Sequence, residues 1–302
     1  MTTTRRRFLV ITAALLAAGT TRPDIHIWQG AALGARATIR LSHPDAAAIT
    51  ARAAAEIDRL EQVFSLYRAD SALSRLNATG RLDAPPFDLL DCLTLCAAVH
   101  RATDARFDPT VQRLWQAHAE AAAASRPLSD RARARALALT GWRHLRFDAD
   151  SVTLPRGMAL TLNGIAQGYI ADRVAALLSA EGLTDILVDT GELRALGHSP
   201  DGRPWPVTLA PGGQRIGLAA RALATSAPLG TVLDRDGRIG HIIDPATGLP
   251  APSRWRAVSV SSPSAALADA LSTAACLMPD RATIAAALAA FPDTRLESAR
   301  PA

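Results

Sequence analysis

Near the C-terminus, an alanine-rich run from Ser262 to Cys276 carries Asp269 and, four residues on, Thr273. Residues i and i+4 share a helix face, so this carboxylate and hydroxyl can aim two hard oxygens at one point, the donor chemistry of a small Mg²⁺ site. Upstream, Gly240-His241-Ile242-Ile243-Asp244-Pro245 sets an imidazole near a carboxylate, ahead of the turn Ala246-Thr247-Gly248. A histidine so placed can take a proton from an attacking hydroxyl, which makes His241 the candidate base. It can equally orient its loop by hydrogen bonding while Asp244 caps the turn. Tyr67 offers a third kind of chemistry, a ring face for stacking with a hydroxyl that stays in contact with water or phosphate; the alternative for it is a core position at a helix end.

Several elements must position these groups. His26-Ile27-Trp28 and Ala35 to Leu41 alternate around Gly30 and Gly34 as a hairpin. Helical spacing runs from Asp45 to Phe64 and from Asp88 to Ala102, with a break at Pro85-Pro86 between them. A further helix follows Pro109, and an Ala/Arg-rich one runs through Leu139. Ser71, Ser74 and Asn77 read as capping residues of a loop. From Trp142 the texture changes to short strands: His144 to Phe147, Ser151 to Leu154, Ala159 to Leu162, Asp185 to Val188, Glu192 to Leu196, Trp205 to Leu209 and Arg215 to Ala219. A helix from Ile165 to Leu178 is entered through the Asn163-Gly164 turn. Strands and helices mixed without regular βαβ alternation predict an α+β fold, and no linker divides the chain.

Composition narrows the chemistry. The 302 residues are 49% hydrophobic and 20% charged, enough to bury a sizeable core. All 33 basic residues are arginine. A Schiff-base mechanism and a Walker A phosphate loop both need lysine, so neither is available. Thr4-Arg5-Arg6-Arg7-Phe8-Leu9 is a twin-arginine pattern followed by eleven apolar or small residues, Phe8 to Ala18, too few to span a bilayer but suited to a signal segment. We therefore read residues 1–21 as a signal for export of a folded protein to a bacterial periplasm, and expect no stable membrane span once it is removed. Setting its three arginines aside lowers the formal charge from +5 to +2, which gives no electrostatic case for nucleic-acid binding. Cys92, Cys96 and Cys276 sit in apolar helical contexts and read as small buried hydrophobes; an i, i+4 disulfide is geometrically excluded while the helix holds.

Four ordered segments carry a resemblance. They are Phe64-Ser65-Leu66-Tyr67-Arg68-Ala69-Asp70-Ser71-Ala72-Leu73-Ser74-Arg75-Leu76-Asn77, Phe107-Asp108-Pro109-Thr110-Val111, Leu160-Thr161-Leu162-Asn163-Gly164-Ile165-Ala166-Gln167-Gly168-Tyr169-Ile170-Ala171-Asp172-Arg173, and Gly240 through Pro250. With the Asp269/Thr273 helix, their order and separation resemble the FAD:protein FMN transferases, the ApbE family, from about Ile25 to about Phe291. The form of residues 160–169 and of Val188 to Gly197 is most similar to the NosX branch, associated with nitrous oxide reduction.

The resemblance implies one α+β catalytic domain, related to the T-fold, over residues 22–302. It also implies transfer of FMN from the substrate FAD to a Thr or Ser hydroxyl of an acceptor flavoprotein, with AMP leaving. By branch, the acceptor would be a NosR-like membrane regulator. The family's Mg²⁺ ligands map onto Asp269, Thr273 and the backbone carbonyl of Gly164. Its flavin contacts map onto Leu33, where relatives have Met, and onto Tyr67, Asp108, Thr110, Thr161, Gln167 and Ile243. With His241, the candidate base read from its own segment, Asp269 makes up the catalytic assignment. The chain departs from the commoner pattern in several places. Thr161 and Gln167 replace an Asp and a Lys, so opposite charges vanish together; Thr190-Gly191-Glu192 stands for Gly-Gly-Asp, and Thr225-Ser226-Ala227 for Thr-Ser-Gly. Hydrolysis of FAD to FMN and AMP, or a periplasmic flavin carrier, would use much of the same site.

Overall fold

The computed structural model describes residues 25–209 and 213–302, so the signal segment lies outside the described residues. The chain begins with a hairpin, β1 (His26–Ala32) and β2 (Ala35–Leu41). The turn residues Leu33 and Gly34 both have positive φ, 49° and 79°. That conformation matches the right-handed twist of the strands, and glycine supplies half of it without strain. Next come α1 (Ala46–Phe64), α2 (Ala72–Thr79), β3 (Arg81–Asp83), α3 (Phe87–Ala102), a 3-10 turn over Pro109–Val111, α4 (Gln112–Ala123) and α5 (Asp130–Leu137). The remaining elements are β4 (Arg146–Phe147), β5 (Ser151–Thr153), α6 (Ala166–Ala180), β6 (Ile186–Asp189), β7 (Leu193–Leu196), β8 (Trp205–Leu209), β9 (Gln214–Leu218), β10 (Ala222–Ser226), β11 (Trp255–Ser262), α7 (Ala265–Ala275), α8 (Arg281–Leu288) and β12 (Arg295–Pro301).

Seven strands form one antiparallel sheet in the order β1-β2-β6-β7-β10-β11-β12. Helices α1, α6 and α7 pack against it, α6 lying between the other two, with α3 behind α1 and α7. On α1 the buried positions Ile49, Ala53, Ile57, Leu60 and Phe64 recur at helical spacing, so one stripe faces the core. In contrast, α7 is buried nearly all round, and its alanines let the sheet, α3 and α6 come close. A smaller apolar cluster joins Leu187, Leu193 and Leu223 of the sheet to Trp205, Val207 and Leu218, so the β8–β9 hairpin covers the sheet over β6, β7 and β10. This is the α+β architecture the sequence predicts.

Some local expectations differ. Residues 159–162 are not a strand: the Leu160 amide and carbonyl are both bonded by the Asn77 side chain, at 2.7 and 2.8 Å, and the Thr161 amide donates to the Pro109 carbonyl at 2.8 Å. A side-chain amide has replaced the ladder partner. Residues 71–77 are mostly helix, with Ser71 alone as the cap: its Oγ accepts the Ser74 amide at 3.0 Å. Sequence reading also passed over β10, β11, β12 and α8. The three cysteines are buried and free, as read. No helix among the described residues is long and apolar enough to cross a membrane.

Candidate active site

A cleft of about 390 Å³ opens among β2, the 3-10 turn, the start of α6, the β6–β7 turn, β10, the loop 227–254 and α7. Its most buried chemical group is Asp269, 3% exposed on α7. Three devices fix that helix. Asp172 on α6 accepts the Ala265 amide at 2.9 Å, the Ala266 amide at 3.0 Å and the Ser264 hydroxyl at 2.7 Å, so a carboxylate from α6 holds the first turn of α7. Ser264 itself caps the helix by accepting the Leu267 amide. At Gly168 the two helices come so close that a Cβ would lie 2.2 Å from the Ala265 carbonyl oxygen, which excludes any side chain. Burial raises the Asp172 carboxyl above its usual range despite these bonds.

The same close approach brings the Gly168 amide to Asp269 Oδ2 at 3.3 Å. That amide would ordinarily close on the carbonyl four residues back, at Gly164, so the turn into α6 leaves the Gly164 carbonyl without that donor. Gly164 also lies against Thr273, since a Cβ there would stand 3.2 Å from Thr273 Oγ1. A chain of hydroxyls then sets the polarity of Thr273. Ser272 Oγ donates to the Asp269 carbonyl at 3.0 Å, so in the 2.7 Å contact with Ser226 it must accept. Ser226 has thereby used its proton and accepts from Thr273 Oγ1 at 3.2 Å. Thr273 consequently offers the cleft lone pairs and no proton.

Burial pushes Asp269 up to about 7, against the pull of the Gly168 amide. Glu192, on the β6–β7 turn, is also raised, by burial and by the nearby charges of Asp269 and Asp189; the Thr225 amide, donating at 3.3 Å, opposes this. Asp189 is also raised by burial, while the Gly191 amide and the guanidinium groups of Arg40 and Arg36 pull it down. No set of three or more His, Cys, Asp or Glu side chains among the described residues is arranged to hold a metal. A cation here would depend on the mixed donor set of one carboxylate, an acceptor-only hydroxyl and a backbone carbonyl. All three are hard oxygens, the type Mg²⁺ takes alongside substrate phosphate and water, so the residues fit that ion.

Across the cleft, Gly240 passes so near Pro228 that a Cβ would lie 2.1 Å from its carbonyl oxygen. His241 is thereby held with Nδ1 3.1 Å from the Thr231 carbonyl. A carbonyl only accepts, so a neutral ring carries its proton on Nδ1 and its lone pair on Nε2. Burial lowers its pKa below the ordinary 6.5, outweighing the Thr231 and Pro228 carbonyls, which favour the charged ring. Asp244 does cap the following turn, accepting the Ala246 amide at 2.8 Å. The imidazole is thus both oriented by its loop and available as a base.

Of the residues singled out in the sequence, Asp108, Thr161, Gly164, Gln167, His241, Ile243, Asp269 and Thr273 line this cleft. Asp108 does so with its carboxylate already engaged, by the Thr110 amide and hydroxyl at 2.8 and 2.6 Å and by the Trp142 amide at 3.1 Å. Its position is that of a latch for the wall. Thr110 lies behind that wall, fully buried and accepting the Gly141 amide, so the cleft does not reach it. Gln167 packs on Gly191, where a Cβ would fall 2.7 Å from its Nε2. Leu33 and Tyr67 lie outside the lining as well. Glu61 ties their two segments together, accepting the Leu33 amide at 2.6 Å and Arg68 Nη2 at 2.5 Å, and Tyr67 is 58% exposed. Sequence reading missed Asp172 and Ser226, both legible only as members of quoted runs. It also missed the cleft arginines Arg36 and Arg40, for which strand alternation was the available signal, and Arg106, which adjoins the Phe107-to-Val111 run.

Residues 33–294 match the ApbE family. A Vibrio cholerae FAD:protein FMN transferase is 32% identical, covering 93% of this chain and 90% of the relative, and its Escherichia coli K12 counterpart is 29% identical over 72% and 67%. Among solved structures, the Pseudomonas stutzeri flavinyl transferase ApbE in its apo form superposes with a TM-score of 0.81 at 25% identity, covering 94% of this chain and 96% of that one. Flavin transferase ApbE from Vibrio cholerae gives 0.76 at 26% identity, covering 88% and 91%.

Proposed function

The chain belongs to the ApbE family, and from that premise we propose that it is a transferase moving FMN from FAD to a Thr or Ser hydroxyl of an acceptor flavoprotein. The observation that carries this reading is the pairing, across one cleft, of a buried hard-oxygen donor set with a neutral imidazole. Transfer forms a bond from the acceptor oxygen to the phosphorus of the FMN half and breaks the bridging P–O bond, so that AMP leaves with the bridging oxygen. His241 Nε2 takes the hydroxyl proton, and the cleft walls hold the two reactants in line. Asp269, Thr273 and the Gly164 carbonyl would hold Mg²⁺. That ion supplies charge neutralisation of the pyrophosphate and of the departing phosphate. Asp269 loses its proton more readily beside a cation than in the empty cleft, so burial makes it responsive to the ion.

By the NosX-like form of residues 160–169 and 188–197, the acceptor we favour is a NosR-like regulator of nitrous oxide reduction, reached after twin-arginine export to the periplasm. Replacing Arg5 and Arg6 by Lys is expected to hold precursor in the cytoplasm; unchanged periplasmic delivery would overturn that route. For the activity, the protein is incubated with FAD, a threonine-bearing acceptor, and Mg²⁺ or EDTA. The acceptor is weighed by mass spectrometry and AMP is assayed. FMN mass on the acceptor with equal AMP supports transfer. AMP without acceptor modification identifies a FAD hydrolase, and bound FAD without AMP a carrier.

A further inference from the structure

The face of β2 that turns away from the helices carries a feature the transfer chemistry does not use. Ala37, Ile39 and Leu41 point into the core, so the alternate residues Arg36, Thr38 and Arg40 share the opposite face, and all three line the cleft. Neither guanidinium forms a salt bridge among the described residues, and Arg40 Nε is buried with no hydrogen-bond partner. The facing carboxylate, Asp189, sits opposite Thr38 in the ladder and gives one oxygen to the Gly191 amide at 3.0 Å. A third arginine, Arg106, lines the same cleft, its one carboxylate contact being the exposed Asp104 at 3.3 Å. The cleft is therefore polarised, with Asp269 and Glu192 toward α7 and, at the β2 end, three arginines faced by Asp189 and the exposed Asp104.

This cationic row continues outward. β1 is the edge strand, and in its register Gln29 lies opposite Thr38 and Ile27 opposite Arg40, so they extend the same face; Ile27 is 45% exposed. Farther along that face the β8–β9 hairpin covers the sheet, whereas on the edge strand Ile27, Gln29 and Ala31 are exposed. A surface of that extent, beginning in the cleft and ending at a sheet edge, suits a polypeptide better than a dinucleotide whose phosphates are served at the α7 end. We propose that the acceptor protein docks across the open face of the β1–β2 hairpin, with acidic side chains flanking its target hydroxyl on Arg36 and Arg40 and an apolar one on Ile27. The proposal rests on the transferase reading. Opposite charge would steer the acceptor and fix its register, an effect that salt screens.

Three short peptides test it, each with one threonine, flanked by Asp/Glu, by Gln or by Lys. Binding is read by fluorescence polarisation, flavinylation by mass spectrometry, and FAD affinity by calorimetry. Wild type is expected to prefer the acidic peptide over the basic one by about tenfold or more, falling with added salt. Arg36→Glu/Arg40→Glu should invert that order with FAD affinity unchanged. Arg36→Gln/Arg40→Gln, a milder change, should abolish the preference if the charge reversal fails to fold. Transfer to all three peptides at equal rate leaves the transferase reading standing and overturns the docking. Absent transfer to any peptide or protein acceptor defeats the transferase reading, and the binding order still decides the docking. Loss of FAD affinity in the Gln variant assigns the arginines to FAD phosphate and overturns the proposal.

Discussion

On one side of the cleft, Asp269 and Thr273 ride on α7, a helix buried almost all round and held at its first turn by Asp172 and at its side by Ser226. On the other, His241 sits in the loop 227–254, whose only ladder contacts among the described residues are the isolated bridges Val232 to Gly240 and Ile243 to Pro250. Side chains anchor the helix of the first side; on the second, the ring itself is held by a backbone carbonyl. The helical wall has one arrangement because its groups are mutually constrained, as a site for a small cation and a pyrophosphate requires. The loop wall constrains one ring and leaves exposed Leu229, Val232 and Leu249 around it, which leaves room for a bulky partner to approach. If that contrast is right, changes on the α7 side should abolish the chemistry, and changes on the loop side should reshape its pH profile.

Asp269→Asn should have the largest effect. It removes the single carboxylate of the donor set, and flavin transfer is expected to fall by about 10³-fold or more, a magnitude typical of losing a principal electrostatic stabiliser. Stability separates this from a folding defect. The folded carboxyl titrates at about 7, above the 3.8 of a free one, so the native state holds the proton longer than the unfolded state does. Metal-free wild type should therefore lose stability as pH rises through that window, and the Asn variant should show a shallower slope, carried by the other raised carboxyls Glu192, Asp189 and Asp172. A thermal melt across pH with EDTA reads it. An inactive variant that is also less stable at every pH would make Asp269 a structural residue instead.

His241→Gln comes next, with transfer reduced by about 10²- to 10⁴-fold, the usual share of a general base. Because burial lowers the imidazole pKa, the wild-type rate should hold as pH falls through 6.5 and drop only below it. That acid limb should vanish in the variant. The same shift makes the folded state bind fewer protons than the unfolded one below 6.5, so acid also costs the wild type stability there. A rate profile with an unchanged limb in His241→Gln would leave the loop wall with an orienting role only.

The contrast also explains what could be read in the sequence. Asp269 and Thr273 announce themselves because helical periodicity puts i and i+4 together, and the Leu162-to-Tyr169 run marks the turn that faces them. The anchors are less visible. Asp172 caps a helix 93 residues later than itself, and Ser226 reaches Thr273 across 47, distances at which no local rule operates. Strands β10 and β12 escaped because Ala222–Ser226 and Arg295–Pro301 show little apolar alternation; they are strands by virtue of their pairing with β11. Residues 159–162 erred the other way, with a strand-like sequence whose backbone partner is the Asn77 side chain.

Ser226→Ala probes the helical wall more gently. Without Ser226 the Thr273 proton loses its acceptor and can turn toward the cleft, so Thr273 no longer presents lone pairs alone. The expected loss in cation affinity is about tenfold, roughly one hydrogen bond of 0.5–1.5 kcal/mol, measured by Mn²⁺ titration with spin-resonance detection in the presence of FAD. Ser226→Thr retains the hydroxyl and should recover most of it. Equal affinity in the Ala and wild-type proteins would show that Thr273 needs no orientation.

The smallest effect belongs to Tyr67, which sits on neither wall. Its segment is tied to the Leu33-Gly34 turn through Glu61, and its ring is more than half exposed at the margin, where an isoalloxazine could be met only by its outer edge or face. Stacking of that kind contributes about 0.5–1.5 kcal/mol beyond area burial, so Tyr67→Ala should weaken FAD by a few-fold and leave the pH limb of His241 and the cation affinity unaltered. Leu33→Met, the residue the family resemblance implies at this position, should move affinity in the opposite direction by a similar factor, since a thioether adds a polarisable contact with an aromatic ring. Calorimetry with FAD on the two variants places the flavin. A loss in the first and a gain in the second locate the ring at the margin of the hairpin; unchanged affinity in both moves it wholly inside the cleft, against Ile243 and Gln167.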